Sequence, residues 1–278
     1  MAGARRQAWR ALLTPTWVAG HVLALAVVVS FSGFGSWQLD RHAQRGARNE
    51  AVAARLAAPP VSLEEALRAA EVQREQRQAG GLDSAIGALD YRRVRVSGRF
   101  ESAHEVLRRP VSRDGVPGFH VVTPLVLADG SAVLVERGWV PQEYGQVPVA
   151  AAPPAAGEVT IEAWAFPGET PPSGPLAALA PRDPVEGPLV QVAYLDLERL
   201  APQLPYRLQP LRLLLDVGDR GPVDASLPLP PKPPELSMGS HLGYAIQWYA
   251  FVAITVVGYG ALLRARLRES DAAPSAPG

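Results

Sequence analysis

There is no cysteine in the chain and only one lysine, Lys232, among 278 residues. Without cysteine there can be no disulfide, no thiolate-bound metal and no cysteine nucleophile, so a folded domain must hold together through core packing alone. An excess of either charge is missing too, with 27 basic residues against 27 acidic ones. A surface that neutralises phosphates needs a basic excess, which excludes nucleic acid as a partner. The lysine shortage beside abundant arginine and alanine reflects genome base composition. Nucleophile elbow, zinc-protease helix, glycine-rich phosphate loop and paired metal-ligand spacings are all lacking, so no hydrolase or transferase signature is present.

What is present is two long uncharged runs. Trp17 to Trp37 gives 21 residues whose only strong polar group is His21, and Leu242 to Leu263 gives 22 with Gln247 as the one strongly polar side chain. As a helix each spans about 30 Å of hydrocarbon. The first is too long for the apolar core of a cleaved signal peptide. Arg5, Arg6 and Arg10 precede it, and Arg264, Arg266 and Arg268 follow the second. Both tails, 1–16 and 264–278, are therefore expected in the cytoplasm, with membrane helices over 17–37 and 242–263 and the domain 38–241 outside. Arg41, Arg45 and Arg48 stand just beyond the first helix, but long translocated segments weigh little in that charge rule. Setting aside six tail arginines and two tail acids leaves the outer domain with 21 basic and 25 acidic residues. The expected class is a membrane protein in which two transmembrane helices flank an extracytoplasmic, mainly antiparallel β (α+β) domain, in a bacterial cell membrane. Gly33 with Ser30 and Ser36, and Gly258 with Gly260, are expected to let the two helices approach closely.

The first helix should continue past the membrane until Pro59 and Pro60 stop it. Ser62 with Glu65 reads as a capping box opening a helix to about Ala79, closed by Gly80 and Gly81. Strands are expected over Tyr91–Phe100, Glu105–Arg109, Gly118–Leu127, Ser131–Val140, Glu158–Phe166, Val190–Tyr194 and Arg207–Val217, about seven in all. Ser112–Pro117 and Ala128–Gly130 read as turns, the latter closing a hairpin. In that hairpin Val121, Thr123 and Leu125 share one alternation with Val133, Val135 and Arg137. Asp196 should cap a short helical turn. Pro167–Pro188 reads as an irregular loop, and Gly218–Glu235, with six prolines, as a semi-rigid spacer returning to the membrane.

The most informative stretch is Met238 to Tyr249, where a polar approach ends in His241 at the water edge of the second helix. Helical stepping places Tyr244, Ala245, Trp248, Tyr249 and Val252 on roughly its face, a surface on which a flat, greasy ligand could lie. The same pattern also fits an interfacial aromatic belt with a solvated histidine. His104 and His120 read as ordinary strand residues. His21 belongs to the other end of the first helix, so only His42 and His241 could cooperate.

Read in order, several blocks carry a resemblance. Trp37, Gln38 and Arg41; Arg92 and Arg93 with Gly98, Arg99 and Phe100; Gly118 to Leu125; Arg137 to Pro141; and His241, Tyr244, Ala245, Gln247 and Trp248 resemble successive blocks of the Surfeit locus protein 1 family over nearly the whole chain. Two departures are Gly239 and Ser240, where that family commonly has asparagines, and Tyr249 in place of phenylalanine.

The resemblance implies an assembly factor for haem-copper cytochrome c oxidase that assists haem a delivery to, or retention at, the catalytic subunit. It implies the oxidase subunits as partners, haem a synthase as a further candidate, and His241 as the haem ligand. Beside that implication the residues supply what haem needs: an axial imidazole in His241, apolar walls in Tyr244 and Trp248, and cations for the propionates in Arg41 or Arg45, with His42 as a second candidate ligand. Membrane lipid is the other expected contact, and headgroup anchoring accounts for the arginines equally well. The competing readings are a membrane-anchored scaffold or accessory subunit without a cofactor, and an extracytoplasmic sensor, against which stands the lack of a sizeable cytoplasmic domain.

Overall fold

In a computed structural model that describes residues 12–78, 87–216 and 226–272, the chain forms two compact units, Met1–Asn49 with Leu236–Gly278, and Glu50–Glu235. The tail arginines Arg5, Arg6 and Arg10, the closing glycines Gly80 and Gly81, Val217 and the first part of the proline-rich return lie outside the described residues. The elements in chain order are α1 (Pro15–Ala57), β1 (Val61–Ser62), α2 (Leu63–Gln78), β2 (Arg92–Phe100), β3 (Val106–Arg113), β4 (Val116–Val126) and β5 (Ala132–Pro141). They continue with β6 (Glu158–Phe166), β7 (Gln191–Val192), α3 (Leu197–Leu200), β8 (Leu208–Leu215) and α4 (His241–Ala272).

Helix α1 runs 43 residues because no proline interrupts it between Pro15, tolerated at its first position, and Pro59. Among the described residues α1 and α4 are the two helices long and apolar enough to cross a membrane. Val22, Leu23, Leu25 and Val29 are 62–66% exposed, and Ile254 and Val257 are 67% and 71% exposed. Such side chains leave much of the helix pair's outer surface apolar.

Five strands of the second unit close into a ring. Strand β2 pairs antiparallel with β6, β6 antiparallel with β8, β8 parallel with β5, and β5 antiparallel with β4. Strand β4 returns to β2 through Arg99↔Val126 and Phe100↔Leu125. All five strands feed one core, with Val94 and Val96, Leu125, Val133 and Val135, Ala163 and Ala165, and Leu211 and Leu213. The small face of α2, Ala66, Ala69 and Ala70, packs against the same core. Glu65 N donates to Ser62 Oγ at 3.2 Å, as expected for the cap, and Asp196 Oδ1 accepts from the amides of Glu198 and Arg199 at the start of α3. A second core, including Val106, Val122, Leu134 and Leu195, lies under the segment that carries α3.

Several expectations change. Among the described residues the sheet has eight strands, the eighth being the two-residue β1, and it is mixed: β1–β2, β3–β7 and β5–β8 are parallel. Alternation within a strand identifies its buried face but not its neighbour, and inserting β8 between β6 and β5 makes it antiparallel to one and parallel to the other. The 112–117 turn shrinks to Asp114 and Gly115, both at positive φ, as a two-residue hairpin requires. A register shift at Val121/Val122 sends Val121 into a third cluster, away from Leu125 and Val133. His104 sits in a 3-10 turn, Ser102–His104, and contacts Tyr206.

The described part of the proline-rich return, 226–235, is a strap fastened to the domain rather than a free spacer. Trp139 N donates to Leu229 O at 2.7 Å and Leu229 N to Trp139 O at 2.8 Å. Arg113 Nη1 donates to Pro230 O at 2.6 Å, and Lys232 pairs with Asp114. A Cβ on Gly138 (φ +152°) would overlap the Leu229 carbonyl, so only glycine admits this approach.

Buried ionic groups knit the strands. Arg137 donates through Nη2 to Glu105 and to Ala152 O, both at 2.7 Å, and through Nε to Thr123 Oγ1 at 2.7 Å. Enclosed Glu136 accepts from His120 Nδ1 at 3.0 Å, from Arg108 at 3.3 Å and from Arg212 Nη1. Glu169 binds the same two arginines at 2.6 and 3.0 Å. Burial alone would raise the Glu136 carboxyl. The His120 hydrogen bond and the Arg212 and Arg108 charges outweigh burial and hold it at about 2, against an ordinary 4.5. A carboxyl lowered in the fold stabilises fully above its unfolded value and loses that stabilisation as pH falls through the window from about 4.5 to about 2. Roughly 3 kcal/mol is at stake. In thermal melts across this window, Glu136→Gln should be less stable than wild type near neutral pH and show a shallower acid slope; parallel slopes would contradict the assignment.

Candidate functional site

Residues of α1 and α4 that are at least partly shielded from solvent include two stripes. On α1 these are Trp17, His21, Ala24, Val28, Phe31, Gly35, Gln38 and His42, flanked by the partly shielded Gly20, Val27 and Ser32, and on α4 His241, Ala245, Trp248, Val252, Thr255, Tyr259 and Leu263. Steps of three and four residues, alternating along the α1 stripe and as far as Tyr259 on α4, are those of a knobs-into-holes seam. Hydrogen bonds cross the seam at three levels. Tyr259 OH meets His21 Nδ1 at 2.6 Å, Tyr249 OH meets Ser36 Oγ at 3.0 Å, and His241 Nδ1 meets Gln38 Oε1 at 2.9 Å. A Cβ on Gly35 would stand 2.8 Å from the Tyr249 ring, so the absence of a side chain there admits the tyrosine. Gly33, Gly258 and Gly260, expected at the contact, meet nothing within 4 Å and lie off the seam. Ser36 is the one expected small residue that engages the other helix.

His241 opens α4 because the prolines before it forbid helix and Gly239, at φ +67°, turns the chain into it. The approach is held by Asn49, whose Nδ2 donates to Leu236 O at 3.0 Å and Ser237 O at 3.2 Å. With Nδ1 on Gln38, the Nε2 of His241 has no protein partner among the described residues. Gly239 flanks that edge, and a Cβ there would lie 3.4 Å from His241 Cδ2 and 3.6 Å from Nε2. His42 lies one turn beyond Gln38 on α1, and its Nδ1 is buried without a hydrogen-bond partner among the described residues. A buried ring nitrogen in that condition costs free energy that a ligand would recover.

Farther along the seam, Trp248 packs against Phe34 at 5.0 Å, Phe31 at 5.2 Å and Phe251 at 6.0 Å between ring centroids. Tyr244 is half exposed and makes no ring contact with this cluster among the described residues. Arg41 is exposed, lies over the Trp37 ring at 5.5 Å and donates to Gln44 Oε1 at 3.1 Å; Arg45 is exposed. Thus His241, Trp248 and His42 occupy the seam, and Arg41, Arg45 and Tyr244 its outer flank. Residues that sequence reasoning did not assign to the site are Phe31, Phe34 and the role of Gln38; the three-and-four spacing from Trp17 to His42 was the signal for two of them. His21 has both nitrogens engaged, Nδ1 by Tyr259 and Nε2 by Leu12 O at 3.1 Å. In the β domain a cleft of about 550 Å³ is lined by Phe100, Val159, Pro228 and Pro230, and its charged groups are already paired, Arg95 with Glu162 and Arg137 with Glu105.

Comparison with known proteins places this arrangement in a family context. Residues 25–253 match the model of the SURF1 family, a stretch that includes both histidines of the seam head and the whole β ring. A SURF1-like protein of Mycobacterium tuberculosis is 30% identical over 276 residues, covering 95% of this chain and 90% of the relative. A SURF1-like protein of Monosiga brevicollis is 26% identical over 243 residues, with 84% and 83% covered. Surfeit locus protein 1 of Arabidopsis thaliana is 32% identical over 133 residues, 44% of this chain and 34% of the relative.

The seam can be tested in this cysteine-free chain by introducing cysteines at Val28 and Val252, which share it. An oxidant should cross-link them within one chain, and the yield should survive Gly33→Val but fall in Gly35→Val, which must displace the Tyr249 ring. Cross-links found only between chains, or equal yields in the two glycine variants, would refute the seam.

Proposed function

This chain belongs to the SURF1 family, and from that premise we propose that it is a membrane-anchored assembly factor of haem-copper cytochrome c oxidase, not an enzyme, which assists haem a delivery to, or retention at, the catalytic subunit. The observation that carries the reading is that two imidazoles, His241 and His42, stand at the head of an apolar helix pair with ring nitrogens that no described protein group occupies. The donor set fits the group. Imidazole is an axial ligand of haem iron, and the aromatic cluster around Trp248 offers the apolar wall a porphyrin requires. Arg41 and Arg45, both exposed, are cations suited to carboxylates.

When bound, haem a supplies the iron and redox chemistry of the oxidase. The chain's own residues would hold and shield it: His241 through Nε2, His42 as a candidate second ligand, and Trp248 with Phe31 and Phe34 as an apolar flank. Oxidase subunits, chiefly the catalytic one, are the partners, haem a synthase is a further candidate, and lipid surrounds the outer faces of α1 and α4, whose exposed valines and isoleucine support a membrane site. In this proposal both tails are cytoplasmic and the β domain is outside.

His241→Ala should leave the protein abundant and membrane-inserted while its haem content, or that of newly assembled oxidase, falls at least about tenfold. His21→Ala is the control, since neither of its nitrogens is free. Loss in His42→Ala as well would indicate one ligand from each helix, and indifference a single protein ligand. Normal haem loading of a well-expressed His241→Ala protein would sink the ligand role and favour a scaffold without a cofactor.

Compartment reporters fused at Pro154 and after Gly278 should report opposite sides of the membrane. The same compartment from both would refute the topology.

A further inference from the structure

The two seam histidines that hydrogen-bond across the helices are wired in opposite senses. His21 Nε2 faces the carbonyl of Leu12 at 3.1 Å, and a carbonyl only accepts, so hydrogen sits on Nε2 and Nδ1 accepts from the Tyr259 hydroxyl at 2.6 Å. At His241 the acceptor is the amide oxygen of Gln38, 2.9 Å from Nδ1. We propose that Gln38 is a positioning residue that holds His241 in the Nδ1–H tautomer and so presents Nε2, with its lone pair, as the nitrogen available to a metal. The inference rests on the reading of His241 as an axial ligand.

Three features make Gln38 suited to the task. It occupies a seam position, so α1 itself sets the imidazole's orientation. It is a neutral acceptor, which spares the rim of an apolar helix pair an added charge. Its grip on Nδ1 acts together with Gly239, whose missing side chain leaves the Nε2 edge clear and whose φ of +67° disfavours any replacement bearing a Cβ. A ligating imidazole whose other nitrogen donates to a fixed acceptor has its tautomer and ring plane set before the metal arrives, and its basicity raised. If instead the amide were turned, its NH2 would donate to Nδ1, hydrogen would move to Nε2, and the ring would have to re-tautomerise before binding.

The test uses the full-length, haem-free protein labelled with 15N-histidine in lipid nanodiscs, at a pH of about 8 where imidazoles are neutral. In the nitrogen spectrum His241 should show Nδ1–H and His21 Nε2–H, each assigned by its alanine variant. Gln38→Met, which keeps length and removes the acceptor, should shift His241 to a mixture of tautomers. Gln38→Glu, an acceptor without a donor, should restore the wild-type form. Haemin affinity should fall roughly 10- to 100-fold in Gln38→Met and recover in Gln38→Glu, with a more negative reduction potential in the latter. An Nε2–H signal for His241 in wild type overturns the proposal, and so does an Nδ1–H signal unaltered by Gln38→Met. Failure of wild type to take up haemin would overturn the ligand reading instead, because the tautomer measurement needs no haem.

Discussion

In the membrane site proposed for them, α1 and α4 would gain little by burying apolar surface against each other and would depend on close fit and on hydrogen bonds across their seam. Gly35 provides the fit by admitting the Tyr249 ring, and His21, Ser36 and Gln38 provide the bonds at three heights. The uppermost of these has consequences beyond packing. Because it engages Nδ1 of His241, it decides which face of that imidazole stays open. The same contact that aligns the helices therefore also prepares the candidate ligand.

The β unit obeys a different constraint. Its ring closes around an aliphatic core to which all five strands contribute, and its polar interior is tolerated only because each buried charge has partners. Glu136 and Glu169 share Arg108 and Arg212, while Glu105 serves Arg137, Thr123 and the Val149 amide. This gives a structural meaning to the sequence blocks that resemble the family. Arg137, Gly138 and Trp139 hold a salt bridge, a close approach and a backbone pair with the Leu229 strap. Gly118 likewise leaves room for the Val140 carbonyl, and Gly98 for that of Val126. Those blocks build the ring, whereas Trp37, Gln38, His241 and Trp248 build the head of the helix pair.

Much of this was legible in the residues. The two uncharged runs announced α1 and α4, the Ser62 and Asp196 caps appear where expected, and β6 starts and stops at the anticipated positions. What was hidden depends on distant partners. Nothing local says that β8 lies parallel to β5, or that Leu229, among prolines, would pair with Trp139. The seam was hidden for a related reason: glycines and serines suggested close packing, but the choice of Gly35 over Gly33 requires knowing that a tyrosine 214 positions away arrives opposite it. Gln38 stood in a recognisable block, yet its purpose is visible only once His241 is seen beside it.

The central claim is that His241 acts through its imidazole rather than by filling a place in an aromatic rim. Cavity rescue tests this most directly: His241→Gly protein in nanodiscs is titrated with haemin with and without added imidazole, and the axial ligation is read from the absorbance and magnetic circular dichroism spectra. The account predicts little uptake by the variant alone and recovery of a histidine-type spectrum when imidazole is supplied. Uptake equal to wild type in the absence of imidazole would contradict it.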